Sequence, residues 1–491
     1  MAGPYLLALD QGTSSSRALV VDTAGTIRAS AARSFTQHYP RPGWVEHDPE
    51  EIWTSQIEAA REAIAAAGVE PREIAAIGLA NQRETALIWE KSSGRPIANA
   101  IVWQCRRTAE MCEALQRDGA APLVRERTGL VIDAYFSGTK YAWLLDHVPG
   151  ARERAAAGEL LCGTIDTWLL WRLTGGKVHA TDRTNASRTL LYDLRRECWD
   201  ADLCALLRVP EAMLPRVLPS AADFGETMPD LFGRSIPIRG VAGDQQAALF
   251  GQGCIARGDT KCTYGTGAFI LRYLGTESAT APDGMLLTAA ASVGSTPAYA
   301  WEGSVFIAGA AVQWLRDGLG IIKSAPEIEA LAASVQDSAG VQVVPAFVGL
   351  GAPFWDSRAR GAILGLTRGS TAAHVARATL EAIAFHTRAV LDVMSENEPI
   401  HELRVDGGAA ANDLLLQIQA DILGAPVLRP REVETTALGA AYLAGIAAGV
   451  LAADAPRALW QLDARFSPTI DVHERERRYA LWRRAVERAS G

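Results

Sequence analysis

A chain of 491 residues is too long for one hydrophobic core, so two large domains, or three, are expected. With 48% hydrophobic and 21% charged residues it reads as a soluble globular protein, and a net charge of −8 without any basic block argues against nucleic acid as a partner. Seven cysteines, none in a C-x-x-C pair, leave a zinc knuckle or redox dithiol unsupported and read as reduced thiols of a cytoplasmic protein.

MAGPYLLALD has no basic region and its apolar run stops at Asp10, so it does not read as a signal peptide. Residues 5–9 and 18–21 read as a strand pair. The connection between them has two readings, a plain hairpin or a turn that holds phosphates. For the second, Gly12 permits positive φ and close backbone approach, and Thr13, Ser14, Ser15 and Ser16 set hydroxyls beside free amides. Asp10 at the mouth of the strand suits a hydrated Mg²⁺, and Arg17 offers a planar fork to a phosphate.

Residues 49–68 predict an amphipathic helix with Pro49 near its start and Gly68 at its end. IAAIGLANQRE (74–84) reads as a strand emptying into a site, and LLCGTIDTWLLWRLTGG (160–176) as a helix closed by Gly175. Near residue 240 the pattern restarts. IRGVAGDQQAALFGQG (238–253) precedes a second strand–polar turn–strand at 260–275, with Gly265, Thr266 and Gly267 in the turn, which suggests an internal duplication and a domain boundary near 250.

Asp244 follows an apolar run and opens a helical segment, so it is either an N-cap or a general base at a strand end. LRVDGGAAANDLLLQIQADIL (403–423) predicts a strand, a double-glycine turn and a helix. TTALGAAYLAGIAAGVLAA (435–453) is uncharged, but its Ala and Gly content predicts a buried, closely packed helix capped by Thr435 or Thr436 rather than a membrane span. The C-terminal VHERERRYALWRRAVERAS predicts a solvated helix. Neither G-x-x-x-x-G-K-[ST] nor G-x-G-x-x-G occurs, since GTGAFI carries Ile270 in place of the third glycine.

In order along nearly the full chain, ALDQGTSSSRA, GWVEHDPEEIW, NQRETALIWE, AIVWQCRRTAE, DAYFSGTK, TDRTNASRTLLYD, AGDQQAALFGQ, TYGTGAFIL and VDGGAAAND resemble the FGGY family of carbohydrate kinases, and within it the members that phosphorylate glycerol. The resemblance implies an α/β chain of two actin/hexokinase-like (ribonuclease H-like) domains, 1–250 and 251–491, with a ligand cleft between them. It implies a pocket for glycerol built from Arg83, Glu84, Tyr135, Asp244 and Gln245, with Trp103 and Phe269 over the carbon chain. For ATP it implies Thr13, Ser14, Ser15 and Arg17, then Thr266, Gly309 and Gln313, then Gly408, Ala409 and Asn412. Asp10 and Asp244 would face Mg²⁺, and Asp244 would be the catalytic base. A homo-oligomer, dimer or tetramer, is also implied.

Residues 222–240 lack the glycine-rich, lysine-bearing loop through which some members bind fructose 1,6-bisphosphate, so that regulation is not expected. FSPTIDVHERERRY likewise differs from the segment that some members offer to a phosphotransfer protein, and Ala268 is a small change beside Phe269. Two other functions remain open on this reading: an FGGY kinase for a ketose, pentitol or gluconate, and a non-catalytic actin-like ATPase.

Overall fold

Short apolar strands build two central sheets. In the computed structural model, which describes residues 4–356, 358–395 and 398–490, Tyr5–Gln11, Ser15–Asp22 and Ile27–Ser34 form an antiparallel meander. Ile74–Asn81 and Ile238–Gly243 extend that sheet in parallel on the other side of Tyr5–Gln11. The predicted strand pair and the strand running into NQRE are therefore both present.

The second sheet repeats the arrangement. Thr260–Tyr264, Ala268–Gly275 and Ala298–Val305 run antiparallel, and Leu403–Asp406 and Val427–Pro430 add in parallel beside Thr260–Tyr264. Leu286–Ala290 and Leu462–Phe466 complete its two edges. Each sheet thus begins with a hairpin whose turn follows the first strand, at Gly12–Ser14 and at Gly265–Gly267. The duplication suggested by the sequence is one of topology.

Local rules explain the helices that frame these sheets. Pro49–Ala67 starts on Asp48, whose carboxylate accepts from the Glu50 amide at 2.8 Å, and ends on Gly68 at φ 65°. It buries Ile52, Ala59, Ala60, Ala63 and Ile64 on the first sheet. The predicted helix over 160–176 is corrected at its start. Leu160–Thr164 is a strand paired with Ala86–Glu90, and only Ile165–Leu173 is helical. Cross-strand pairing outweighs the helical character of this leucine-rich stretch.

The alanine- and glycine-rich helix runs from Thr435 to Ala447, 13 residues, and among the described residues no helix is long and apolar enough to cross a membrane. Glu434, not a threonine, occupies the position before its first turn, and no side chain caps it there. This helix comes from the second half of the sequence yet lies on the first sheet. A Cβ at Gly78 would sit 2.0 Å from the Ala440 carbonyl oxygen, and one at Gly439 would sit 1.9 Å from that of Ala247. The small residues are there to bring backbones into contact. The C-terminal helix Val472–Ala489 differs from its expectation on one face: Trp482 is fully buried and donates through Nε1 to the Val343 carbonyl at 3.1 Å.

Candidate active site

The first hairpin turn is built tightly. The Gly12 amide donates to the Ser15 carbonyl at 3.0 Å, and Gly12 is not left-handed as expected; a Cβ there would instead crowd the Ser15 oxygen at 3.2 Å. Thr13 Oγ1 accepts from Trp103 Nε1 at 3.0 Å, which ties the turn to the acceptor side of the site. Ser14 is exposed and Ser15 half-buried, whereas Ser16 turns into the core against Ser55 at 2.9 Å and offers its hydroxyl to no ligand. Strand alternation forces that inward turn. Arg17 is ion-paired with Glu434, which the start of the 435–447 helix brings against the hairpin.

Across the molecule, the second turn clasps a helix. The Thr266 carbonyl accepts from the Ala308 and Ala310 amides at 2.8 and 3.0 Å, and the Gly265 carbonyl from the Gly309 amide at 3.0 Å. Gly309 has no room for a side chain, since a Cβ would lie 2.6 Å from the Gly265 oxygen. Thr266 and Gln313, on the following helix Gly309–Asp317, are exposed. In the DGG turn, Gly407 is left-handed at φ 85°, whereas Gly408 is exposed and a Cβ there would meet no atom within 4 Å. Ala409 is half-buried beside it, and Asn412 caps the helix Asp413–Leu423 by accepting from the Leu415 amide at 2.8 Å.

The predicted acceptor residues converge. Arg83 is 2% exposed and its Nε lies 3.3 Å from Asp244 Oδ1, while its Nη2 is 3.3 Å from the Tyr135 hydroxyl. Glu84 adopts φ 60°, a costly conformation for a side-chain-bearing residue, and its carboxylate accepts from Arg188 Nε at 2.6 Å. Trp103, Tyr135 and Phe269 form an aromatic corner, with ring centroids 5.7 Å apart for Trp103–Tyr135 and 6.4 Å for Trp103–Phe269. Gln245 accepts from the buried Lys261 Nζ at 2.6 Å. Asp244 opens the helix Asp244–Gly251 with Gly243 in the cap position, so the N-cap reading does not hold, and its side chain stays 30% exposed.

Burial pushes the Asp10 carboxyl up to about 7 despite Arg17, and the charges of Asp244 and Glu434 push the same way. Two carboxylates, Asp10 and Asp244, therefore repel one another at the mouth of the site. Such a pair fits a divalent cation. Among the described residues no group of three or more acidic, histidine or cysteine ligands forms, so these two suit an ion that keeps most of its waters and arrives with phosphates. Burial also raises the Glu84 carboxyl against the pull of Arg83 and Arg188, whereas Glu302 resists burial through Arg188 and Arg83 and is held near 2.

The FGGY carbohydrate-kinase N-terminal domain matches residues 5–251, and the corresponding C-terminal domain matches residues 260–448. This chain belongs to the FGGY family of carbohydrate kinases. A glycerol kinase of Bordetella parapertussis is 58% identical, the match covering 100% of this chain and 98% of that protein. Glycerol kinase 2 of Thermotoga maritima is 57% identical over 99% of each chain. The crystal structure of Plasmodium falciparum glycerol kinase with ADP superposes with a TM-score of 0.92 at 34% identity, covering 99% of this chain and 98% of that one. The two-domain α/β kinase fold is thereby established for this FGGY kinase.

Four participants escaped the sequence reading: Arg188, Gln246, Lys261 and Glu302. Gln246 Oε1 accepts from Arg83 Nη1 at 3.3 Å, and Glu302 accepts from both ends of the Arg83 guanidinium. The available signal was a charged residue inside an apolar strand, Glu302 in AYAWEGSV and Lys261 in TKCTY.

Proposed function

We propose that this FGGY kinase transfers the γ-phosphoryl group of MgATP to a terminal hydroxyl of glycerol, yielding glycerol 3-phosphate and ADP. The observation that carries the proposal is the partly exposed Asp244, 3.3 Å from the buried Arg83 Nε, together with the aromatic corner of Trp103, Tyr135 and Phe269. Arg83, Glu84, Tyr135 and Gln245 would bind the hydroxyls, with Trp103 and Phe269 against the carbons. A site that hydrogen-bonds substrate hydroxyls with buried polar groups rejects analogues lacking them.

Asp244 takes the proton of the attacking hydroxyl as the phosphoryl group leaves ATP. Because that transition state is loose, most of the acceleration comes from alignment and charge neutralisation. Thr13, Ser14 and Ser15 receive the phosphates with the Arg17 charge nearby. Thr266, Gly309 and Gln313, together with Gly408, Ala409 and Asn412, form the nucleotide wall, and the open space at Gly408 supports that placement. Asp10 and Asp244 face the Mg²⁺ of the nucleotide.

The same reading takes residues 1–250 and 251–491 as the two catalytic domains and the enzyme as a cytoplasmic homo-oligomer. Its test is ADP release measured with glycerol, with xylulose and with no acceptor. Glycerol-dependent turnover supports it. Turnover only with xylulose, or equal turnover without acceptor, overturns it.

A further inference from the structure

Glu302 is fully buried in the strand Ala298–Val305, at the heart of the second sheet, yet both of its ion-pair partners lie in the first half of the chain, with Ser304 Oγ of its own strand donating to its Oε1 at 3.4 Å. Its Oε2 accepts from Arg83 Nη1 at 2.6 Å, and its Oε1 accepts from Arg83 Nη2 at 2.9 Å and from Arg188 Nη2 at 3.0 Å. Arg83 is thus held at both terminal nitrogens, in the bidentate geometry that fixes a guanidinium most firmly. Only its Nε is left to face Asp244 at 3.3 Å and Glu84 at 3.7 Å.

We propose that Glu302 is a positioning residue for the acceptor: by clamping the far end of Arg83 it keeps Asp244 and Glu84 available to substrate hydroxyls. Without that clamp, the two carboxylates nearest Arg83 are those that the acceptor needs, and the guanidinium would fold back onto them. Stability does not account for the arrangement, because a buried ion pair gains little over apolar packing of the same volume. The acceptor pocket of the first half is therefore completed by a carboxylate from the second, so relative movement of the halves is felt at Arg83. The proposal rests on the phosphoryl-transfer reading above.

The test compares the full-length wild type with Glu302→Gln, Glu302→Asp and, as a control, Glu381→Gln. Glu381 is a buried carboxylate in the second half that pairs with Arg377 at 3.2 Å. For Glu302→Gln the KM for glycerol is expected to rise at least ~10-fold with the KM for ATP within about two-fold, since one lost decade of affinity corresponds to one such interaction. Glu302→Asp, which keeps the charge on a shorter stem, should recover part of that loss. Glu381→Gln should lower Tm without moving the glycerol KM. If Glu302→Gln does not fold, Glu302→Asp alone decides, a raised glycerol KM at constant ATP KM being the supporting result. An unchanged glycerol KM, or equal rises in both KM values, overturns the proposal while wild-type turnover still upholds the enzyme's function. Absent wild-type turnover of glycerol would instead sink the reading beneath it.

Discussion

At the scale of single residues, two carboxylates of the site, Asp244 and Asp10, are proposed to have separate roles. Asp244, whose side chain is 30% exposed, is the proposed base. Asp244→Asn should lower kcat by about 10²–10⁴-fold while leaving ATP binding largely intact, as read by steady-state kinetics and nucleotide titration. Asp10 is costly in its charged form, its carboxyl being raised from 3.8 to about 7 by burial first and then by Asp244 and Glu434. Between those values the folded chain holds a proton that the unfolded chain has lost. Stability therefore falls as pH rises through that window, and the cost is fully present above it. Asp10→Asn should melt at a higher temperature than wild type at pH 8, with the gain vanishing toward pH 4, while its MgATP-dependent turnover is lost. A pH-independent difference in Tm would disprove this account of Asp10.

At the scale of elements, glycines do two opposite jobs. Gly439 and Gly251 face each other where the helices 244–251 and 435–447 touch, and a Cβ at Gly251 would lie 2.0 Å from the Thr435 carbonyl oxygen. Gly439→Ala should destabilise the protein by about 3 kcal/mol in urea unfolding, because the obstacle is backbone that has nowhere to move. Gly408 is the reverse case, with open space around it and an ordinary φ. Gly408→Ala should leave the unfolding midpoint unchanged and raise the KM for ATP several-fold, provided that a ligand approaches this backbone closely. If instead Gly408→Ala destabilises the fold and spares the KM, the nucleotide wall lies elsewhere.

At the scale of the whole molecule, the two halves are interlaced rather than merely adjacent. Leu6, Ala8, Ala76, Ala80 and Ala242 of the first sheet share one apolar cluster with Ala437, Leu438, Ala440 and Ala441 of the late helix. The fragment 1–250 expressed alone would expose that sheet face to water. It should aggregate or show no cooperative melt by circular dichroism, whereas a version with residues 435–447 tethered to it should recover solubility. A folded, cooperatively melting 1–250 fragment would show that the late helix is dispensable to the first sheet. Arg125 reinforces the junction from the first half, donating to the Met285 carbonyl at 2.8 Å and the Ala281 carbonyl at 3.3 Å.

Much of this was legible in the residues themselves. Strands 5–11 and 74–81, the helix 49–67 with Pro49 at its start and Gly68 at its end, and the two polar turns follow from apolar patterning, proline and glycine positions, all of which are local. Asp10, Thr13 and Asp244 stood out by their places in strand mouths and a tight turn, whereas Arg83 was singled out only by the family resemblance. What local patterning cannot supply is partnership across hundreds of residues. Tertiary structure alone decided that Arg17 meets Glu434, that Leu160–Thr164 is a strand, and that Glu302 clamps Arg83 from the opposite half. A buried charge announces in the sequence that it must be paired, but only the folded chain, by bringing distant backbones to within hydrogen-bond distance, determines with what.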